Sequence, residues 1–574
     1  MLSGRRHPQR PRSNGHASRA LLAVYAAGWL LLAVGLAPST PVWAANKIEG
    51  YYESEIMMER TDENWHFGSP GANGMPKHYA ELKFLSWPAD NFEAYLKLRA
   101  ESNRDDDRSP RIDYYAPPWF AAEGHLKLRS DHYEAYVFNR ENRFWINDEP
   151  LLSLVEDYKL KNDAWGPQAH GVRLDFWNVG KRDRGLDGTL IYSDDGGTFN
   201  WGVEGDVPDG VDSFIGRLRP RAFGPALGGA FRSLGRLAGL SLPEKGGELT
   251  TGLTILRKDW TDTSNPEYRR YHHLMHNSVY GADMAFSPAG LIEKGLVFGP
   301  LNLEQSRWTL EYAFSETPFR EQVFGESNRH NSALAAEVRD IHVEDVIFHA
   351  WHFDFGEDFR DYLSGRFDND RREFNRVQNH VEAIWLVPRK AVTAKAVYDY
   401  YRKRFADEAG GGRRPAETWY GELYVEFIKG FKGKVAYKQW RGYDSAAEVS
   451  DFFTYPEWFG EVSVENFLAK IRLQGRVRDA GTFREVSAFG FDMNVNITES
   501  LKGYLRMMNV NEPIEARYTM FAQLKYDIGW GAEFYFEYGD PGQSDNIVYT
   551  DWFLNEETND NLRDRIKLLV KTWF

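Results

Sequence analysis

The sequence predicts an all-β chain closed into one large antiparallel transmembrane β-barrel, and three observations carry that expectation. Apolar residues recur with a period of two, candidate connections alternate between short and long, and the last ten residues form an apolar alternation ending in a large aromatic. Each limits the answer in a different way.

The period of two comes first. In "NFEAYLKLRAES", Phe92, Ala94, Leu96, Leu98 and Ala100 take one face of an extended strand, and Glu93, Tyr95, Lys97, Arg99 and Glu101 take the other. "EGHLKLRS" and "RWTLEYAFS" repeat the pattern, and "FDMNVNITESLKGYLRMM" reads as a whole hairpin turning at Thr498-Glu499-Ser500. "YSDDGGTFNW" reads as a hairpin centred on Asp195-Gly196. The stretch 259–376 is less legible, and "NSALAAEVRD" and "AVYDYYRKRF" suit helix or strand equally.

Connections come second. From Pro388 to the C-terminus, short links such as Lys429-Gly430 and Asp527-Ile528-Gly529 alternate with longer ones, such as 441–457 and 539–562. A soluble sandwich has no reason to sort its loops by end, whereas a membrane-crossing barrel has tight turns on one side and long loops on the other. In a bilayer every backbone N–H and C=O must be paired within the protein, so extended chain can cross only as a closed barrel. Half of each strand then faces water and can be charged, which reconciles apolar alternation with a negative mean hydropathy.

The terminus comes third. In "RIKLLVKTWF", Ile566, Leu568, Val570, Thr572 and Phe574 share one face, and Lys567, Leu569, Lys571 and Trp573 the other. If the last strand closes the ring on the first, the C-terminus is fixed by strand pairing. At the other end, residues 1–44 read as a cleaved signal peptide for export through the Sec pathway. Arg5, Arg6, Arg10, Arg12 and Arg19 precede the apolar run "ALLAVYAAGWLLLAVGLA", and Val42 and Ala44 supply the small residues before a cut. An uncleaved membrane anchor is the alternative. The chain has 574 residues, no cysteine and a formal charge of −14. It therefore has no disulfide framework or thiolate metal site, and its acidity argues against nucleic acid as a partner.

The signal, the absence of cysteine, the strand pattern over most of 46–574 and the terminal Phe574 resemble bacterial outer-membrane β-barrel proteins, a porin-like class, without matching one family. That resemblance implies an outer-membrane location, contact with lipid and lipopolysaccharide, and reading of Phe574 by the barrel-assembly machinery. It also places the short turns in the periplasm, makes the strand number even, at about 22–26, and leaves a single barrel domain over 45–574.

Function would then reside in the lumen. The inward parity carries Lys97, Arg99, Lys127, Arg129, Arg173, Lys470, Arg472, Lys502 and Arg506, with Glu422, Glu426, Glu533 and Glu537 on the same face. Basic and acidic residues on different strands would set up a transverse field in a pore; cross-strand ion pairing that merely solvates the wall is the plainer reading. The segment 213–242 holds Arg217, Arg219, Arg221, Arg232 and Arg236 with no acidic residue. Folded inward, it would constrict the pore and favour anions; otherwise it is an outer loop on lipopolysaccharide phosphates, or a strand at 214–222. Metal chemistry has weak support: His349 and His352 fall on opposite strand faces, and His272, His273 and His276 lack an accompanying glutamate. Acidic loops at Asp105–Asp107 and around Asp368 and Asp370 suit Ca²⁺ or simple solvation. Trp419, Trp440, Trp458, Tyr518, Trp530 and Tyr538 suit interface girdles or, less simply, a sugar-stacking row.

The expectation is an outer-membrane channel, without catalysis or cofactor, for facilitated diffusion of small hydrophilic solutes, anionic ones among them. Three alternatives stay open: a structural or adhesion barrel or sheath for a periplasmic partner, an outer-membrane lipid hydrolase, and a secreted soluble all-β carbohydrate-binding protein. The last accounts for the alternation and the aromatics but not for the loop sorting or Phe574.

Overall fold

The computed structural model describes residues 45–61, 64–67, 77–102, 120–139, 170–180, 185–194, 211–221, 249–260, 276–291, 296–318, 331–356, 376–387, 391–403, 415–443, 452–479, 485–511, 516–539 and 565–574, with single positions at 141, 143, 146, 151, 152, 154, 233, 358, 359 and 361. The leader 1–44 and the expected turn at Asp195-Gly196 lie outside the described residues.

Alternation becomes strand throughout, including both ambiguous segments. The wall runs β1 (Ala45–Thr61), β2 (Lys77–Ala89), β3 (Phe92–Ser102), β4 (Phe120–Arg129), β5 (Tyr133–Asn139), β6 (His170–Val179), β7 (Leu186–Asp194) and β8 (Val211–Pro220). It continues with β9 (Thr250–Trp260), β10 (His276–Phe286), β11 (Arg307–Glu316), β12 (Ser332–Val343), β13 (Val346–Phe355), β14 (Arg376–Leu386), β15 (Val392–Lys403) and β16 (Pro415–Ile428). The last third is β17 (Phe431–Tyr443), β18 (Phe452–Glu465), β19 (Ala469–Arg478), β20 (Val486–Asn496), β21 (Leu501–Asn511), β22 (Ala516–Gly529), β23 (Ala532–Tyr538) and β24 (Arg565–Trp573). Each pairs antiparallel with its neighbours in sequence, and β1 pairs with β24 from Tyr51↔Trp573 to Glu59↔Arg565. The result is a closed antiparallel ring of 24 strands. Closure pairs both margins of the sheet and removes the unpaired edges that a two-sided apolar sheet would otherwise present.

The seam explains the chain's ending. Phe574 N–H donates to the Gly50 carbonyl at 3.0 Å and Gly50 N–H donates to the Phe574 carbonyl at 2.6 Å, extending the ladder to the last residue. The Phe574 ring lies on Gly50 itself: a Cβ built there would sit 2.1 Å from ring atom Cε2. Glycine is the residue this register allows beneath the terminal ring.

The two faces of the wall differ in kind. Val435, Leu423, Leu473, Phe489 and Leu524 are exposed and share one face; the alternate positions carry charged and polar groups. An apolar face on a closed ring is compatible with solvent only if that solvent is hydrocarbon, so it is the outer face and the charged positions line the inside. A secreted soluble sandwich does not fit this arrangement.

Loop sorting holds at most of the ring. On the side of the chain's ends lie the turns at 90–91, 130–132, 344–345, 429–430, 466–468 and 530–531. Trp530 and Gly531 both have positive φ, as a two-residue turn between twisted strands requires, and a Cβ on Gly531 would lie 2.6 Å from the Trp573 carbonyl oxygen. Two connections at this end, 221–249 and 287–306, are long. The second has a clear reason. β12 extends past the start of β11, and Leu301–Asn302 pairs with its protruding end (Leu301↔Val343, Asn302↔His342), giving that end of β12 a partner on the side β11 leaves open.

Candidate pore lining

On the inner face from β16 to β21, charge changes sign from one strand to the next. Glu422 and Glu426 stand on β16, Lys432, Lys434 and Lys438 on β17, and Glu457 and Glu461 on β18. Lys470, Arg472 and Arg476 follow on β19, Asp492 on β20, and Lys502 and Arg506 on β21. Neighbours therefore close on each other: Lys434–Glu422 at 2.7 Å, Arg476–Glu457, and Arg472 to Asp492 at 2.5 Å. The pattern crosses the seam, with Lys567–Glu55 at 2.9 Å and Lys571–Glu53 at 3.6 Å. The charges do not gather on opposite walls, so the transverse field expected from the sequence is largely cancelled between adjacent strands.

The other expected lining residues take their places in this ladder. Lys97 reaches Glu123 at 2.7 Å and Glu81 at 3.6 Å, and Arg99 lies over the Tyr79 ring at 4.6 Å. Lys127 meets Glu134 at 2.5 Å, while Arg129 is exposed at the strand end opposite Glu134. Arg173 donates from Nε and Nη2 to Asp175 at 2.6 and 2.9 Å. Lys470 is 3.9 Å from Glu465, Arg506 stands opposite Asp492, and Lys502 opposite Lys525. Glu533 binds Lys525 at 2.6 Å, Glu537 accepts from Gln523 at 2.6 Å, and Glu426 accepts the Gly430 N–H of the adjoining turn at 3.2 Å. A unit recurs here: an inner tyrosine donates to a glutamate two residues away, as in Tyr79–Glu81, Tyr136–Glu134, Tyr420–Glu422 and Tyr535–Glu533, and a lysine from the next strand neutralises the glutamate.

The first part of the arginine segment takes the strand alternative. Residues 211–220 are wall strand β8, so Arg217 and Arg219 are lining residues and not parts of an insert. Arg217 is buried and binds Asp283 through both guanidinium nitrogens, one at 3.0 Å, and Thr254 Oγ1 at 3.0 Å. Arg221, at the strand's end, donates to Asp187 at 2.7 Å. The connection after Arg221 leaves from the end of the short turns, not from that of the long loops, and Arg232 and Arg236 lie outside the described residues.

A different segment crosses the inside. Between β5 and β6, Glu141 and Leu152 are fixed to wall strands far apart in the ring. His125 on β4 is held by Glu141 at 2.6 Å and by Glu93 at 3.1 Å, and Arg143 binds Glu141 at 2.6 Å and lies over Tyr136. Arg173 donates to the Arg143 carbonyl at 3.0 Å. The Leu152 N–H then donates to Glu311 Oε2 on β11 at 2.7 Å. Leu154 covers Gly281 on β10 so closely that a Cβ there would lie 2.9 Å from its Cδ1. Leu152 and Leu154 are fully buried in a cluster with Ile191, Ile215, Leu256, Val279, Ala313, Phe353, Phe355 and Phe359. The sequence did hold a sign of this. The inner parity of β7–β13 places Ile191, Ile215, Leu256, Val279, Ala313, Phe353 and Phe355 among its charged positions, so this part of the wall carries apolar side chains on both faces and needs cover on the inner one too.

Of the histidines, His349 accepts the Asp340 N–H at 3.1 Å on the inner face and His352 meets Asn379 on the outer. Among the described residues no group of three or more potential ligands could hold a metal. His272, His273 and the acidic stretches at Asp105–Asp107 and Asp368–Asp370 lie outside the described residues. Trp419, Trp458 and Tyr518 are exposed on the outer face toward the long-loop end and Trp530 at the short-turn end, as two girdles require. Trp440 is the exception: it stands opposite Thr418, with inner parity.

No protein-family model matches the sequence, and no curated protein matches it. Among solved structures, the chain is similar to the siderophore receptor PirA from Pseudomonas aeruginosa, with 7% identity and a TM-score of 0.41 over 92% of this chain and 81% of that one. It is similar to the P pilus usher PapC translocation pore, with 8% identity and a TM-score of 0.41 over 92% and 99% of the two chains. It is also similar to OccAB4 from Acinetobacter baumannii, with 11% identity and a TM-score of 0.32 over 77% and 100%. The likeness is one of architecture, that of a large β-barrel.

Proposed function

We propose that this barrel is an outer-membrane channel through which hydrophilic solutes diffuse. The observation that carries the reading is the charged and hydrogen-bonding inner face of a closed ring whose outer face is apolar. Such a wall gives water and polar solutes a lining they can wet, and ion pairs that are already satisfied hold no ion too tightly to release it. Arg217 and Arg221 are each committed to a carboxylate, so they lend little support to a strong anion preference. The channel is therefore proposed to be weakly selective for charge.

The test is recording from planar bilayers after insertion of the purified folded protein. Discrete conductance steps, with a reversal potential near zero in a salt gradient, are expected. Absence of steps from correctly folded protein would remove the channel reading and leave a structural or sheath role as the alternative.

A further inference from the structure

The strap from Glu141 to Leu154 divides the inner wall into two unlike sectors. Glu141 is anchored at β4 and Leu152 at β11, seven strands further round. Beneath the strap, Ile191, Ile215, Leu256, Val279 and Ala313 are buried although they occupy lumen-facing positions. Across the ring, Asn494 on β20 and Lys502 on β21 take the same inner parity and stand exposed.

We propose that the strap seals the sector β7–β13 as a dry wall and confines solute to the charged sector running from β14 through the seam to β3. Glu311 and His125 act as positioning residues that hold the strap down. The passage of solute rests on the channel reading, but the partition of the wall is a separate physical claim.

The chain has no cysteine, so single cysteines report directly. In folded protein inserted in vesicles, Ala313→Cys and Val279→Cys probe the dry sector and Asn494→Cys the open one, using a charged, water-soluble methanethiosulfonate reagent. Reaction at 313 and 279 should be at least ~10²-fold slower than at 494, because exposing them requires local opening. Adding Leu152→Asp, which places a charge in the apolar cluster, should bring position 313 close to the rate at 494. In bilayers, modification at 494 should reduce the conductance. Equal rates at 313, 279 and 494 in the folded protein would overturn the partition. Protection at 313 that survives Leu152→Asp would assign the cover to something other than the strap and overturn its role. If conductance is absent but the labelling contrast holds, the channel reading fails while the partition stands.

Discussion

The contact between Gly50 and Phe574 predicts that one substitution will change sign with its background. In the wild-type seam, Gly50→Ala places a methyl group where the terminal ring lies, 2.1 Å from Cε2, and the ring must leave. Overpacking of this kind costs about 1–3 kcal/mol. Remove the ring with Phe574→Ala and the same Gly50→Ala meets no such obstacle; alanine is then the better strand residue by roughly 0.5–1 kcal/mol, because glycine loses more backbone freedom on ordering. The coupling between the two sites is therefore about 1.5–4 kcal/mol, from the difference of these two effects. The two backbone bonds between residues 50 and 574 are common to all four proteins and cancel from the cycle. The assay is reversible urea unfolding from vesicles followed by tryptophan fluorescence, with slope and midpoint fitted for each member. Gly50→Ala destabilising by the same amount in both backgrounds would refute the reasoning, and would mean that the ring does not rest on residue 50.

Four further outcomes are expected at other parts of the wall. Arg217→Leu should cost about 3–5 kcal/mol by leaving Asp283 without its guanidinium, and the double variant Arg217→Leu/Asp283→Leu should recover most of that loss in the same unfolding assay. Val435→Arg, on the outer face, should cost up to about 2–4 kcal/mol depending on its depth, whereas Lys432→Arg, its neighbour on the inner face, should leave the urea midpoint within error. Leu152→Ala should destabilise by about 2–5 kcal/mol if the cluster beneath the strap is as close-packed as its burial indicates, and should make channel currents noisier. Replacing Lys434 and Glu422 together by glutamine should leave the reversal potential in a salt gradient unchanged, while Glu422→Gln alone should move it toward anion preference.

The parts of this structure legible in sequence are those set by strict local rules. A period of two determines which residues share a face, so the inner positions of Lys97, Lys127, Arg472 and Glu533 follow from parity alone, as does the strand nature of "FDMNVNITES". Turn chemistry marks the short connections, and membrane geometry forces the ring and its even count. The partners of those charges were not legible, because register decides whether Lys434 meets Glu422 or Glu461, and a shift of one residue reverses every facing. Trp440 was misplaced for a related reason: being aromatic near a strand end says nothing about which side of the sheet is lipid. The arginine segment drew attention by composition, yet composition cannot reveal that Asp187 and Asp283, 30 residues before and 66 after Arg217, lie on strands next to or near its own.

The strap illustrates a more general constraint on large barrels. Twenty-four strands enclose an interior too wide for side chains to fill, so an inner wall must either be wettable or be covered by another part of the chain. The charge ladder from β14 round to β3 meets the first requirement: most of its lysines and arginines have a carboxylate on a neighbouring strand, as Lys434 has Glu422 and Lys567 has Glu55, and water can solvate the lumen side of these pairs. The sector β7–β13 cannot meet it, because Ile191, Ile215, Leu256, Val279 and Phe353 would stand in water on one face while Leu253, Ile255 and Leu310 stand in hydrocarbon on the other. The strap resolves that conflict with two leucines, one backbone donor given to Glu311, and a polar clamp at His125. Glu311 also fits this logic. A buried carboxylate is costly to keep unless it accepts hydrogen bonds there, and the bond Glu311 accepts from Leu152 is the one that holds the cover in place. A residue ill suited to a dry wall thus secures the segment that covers it.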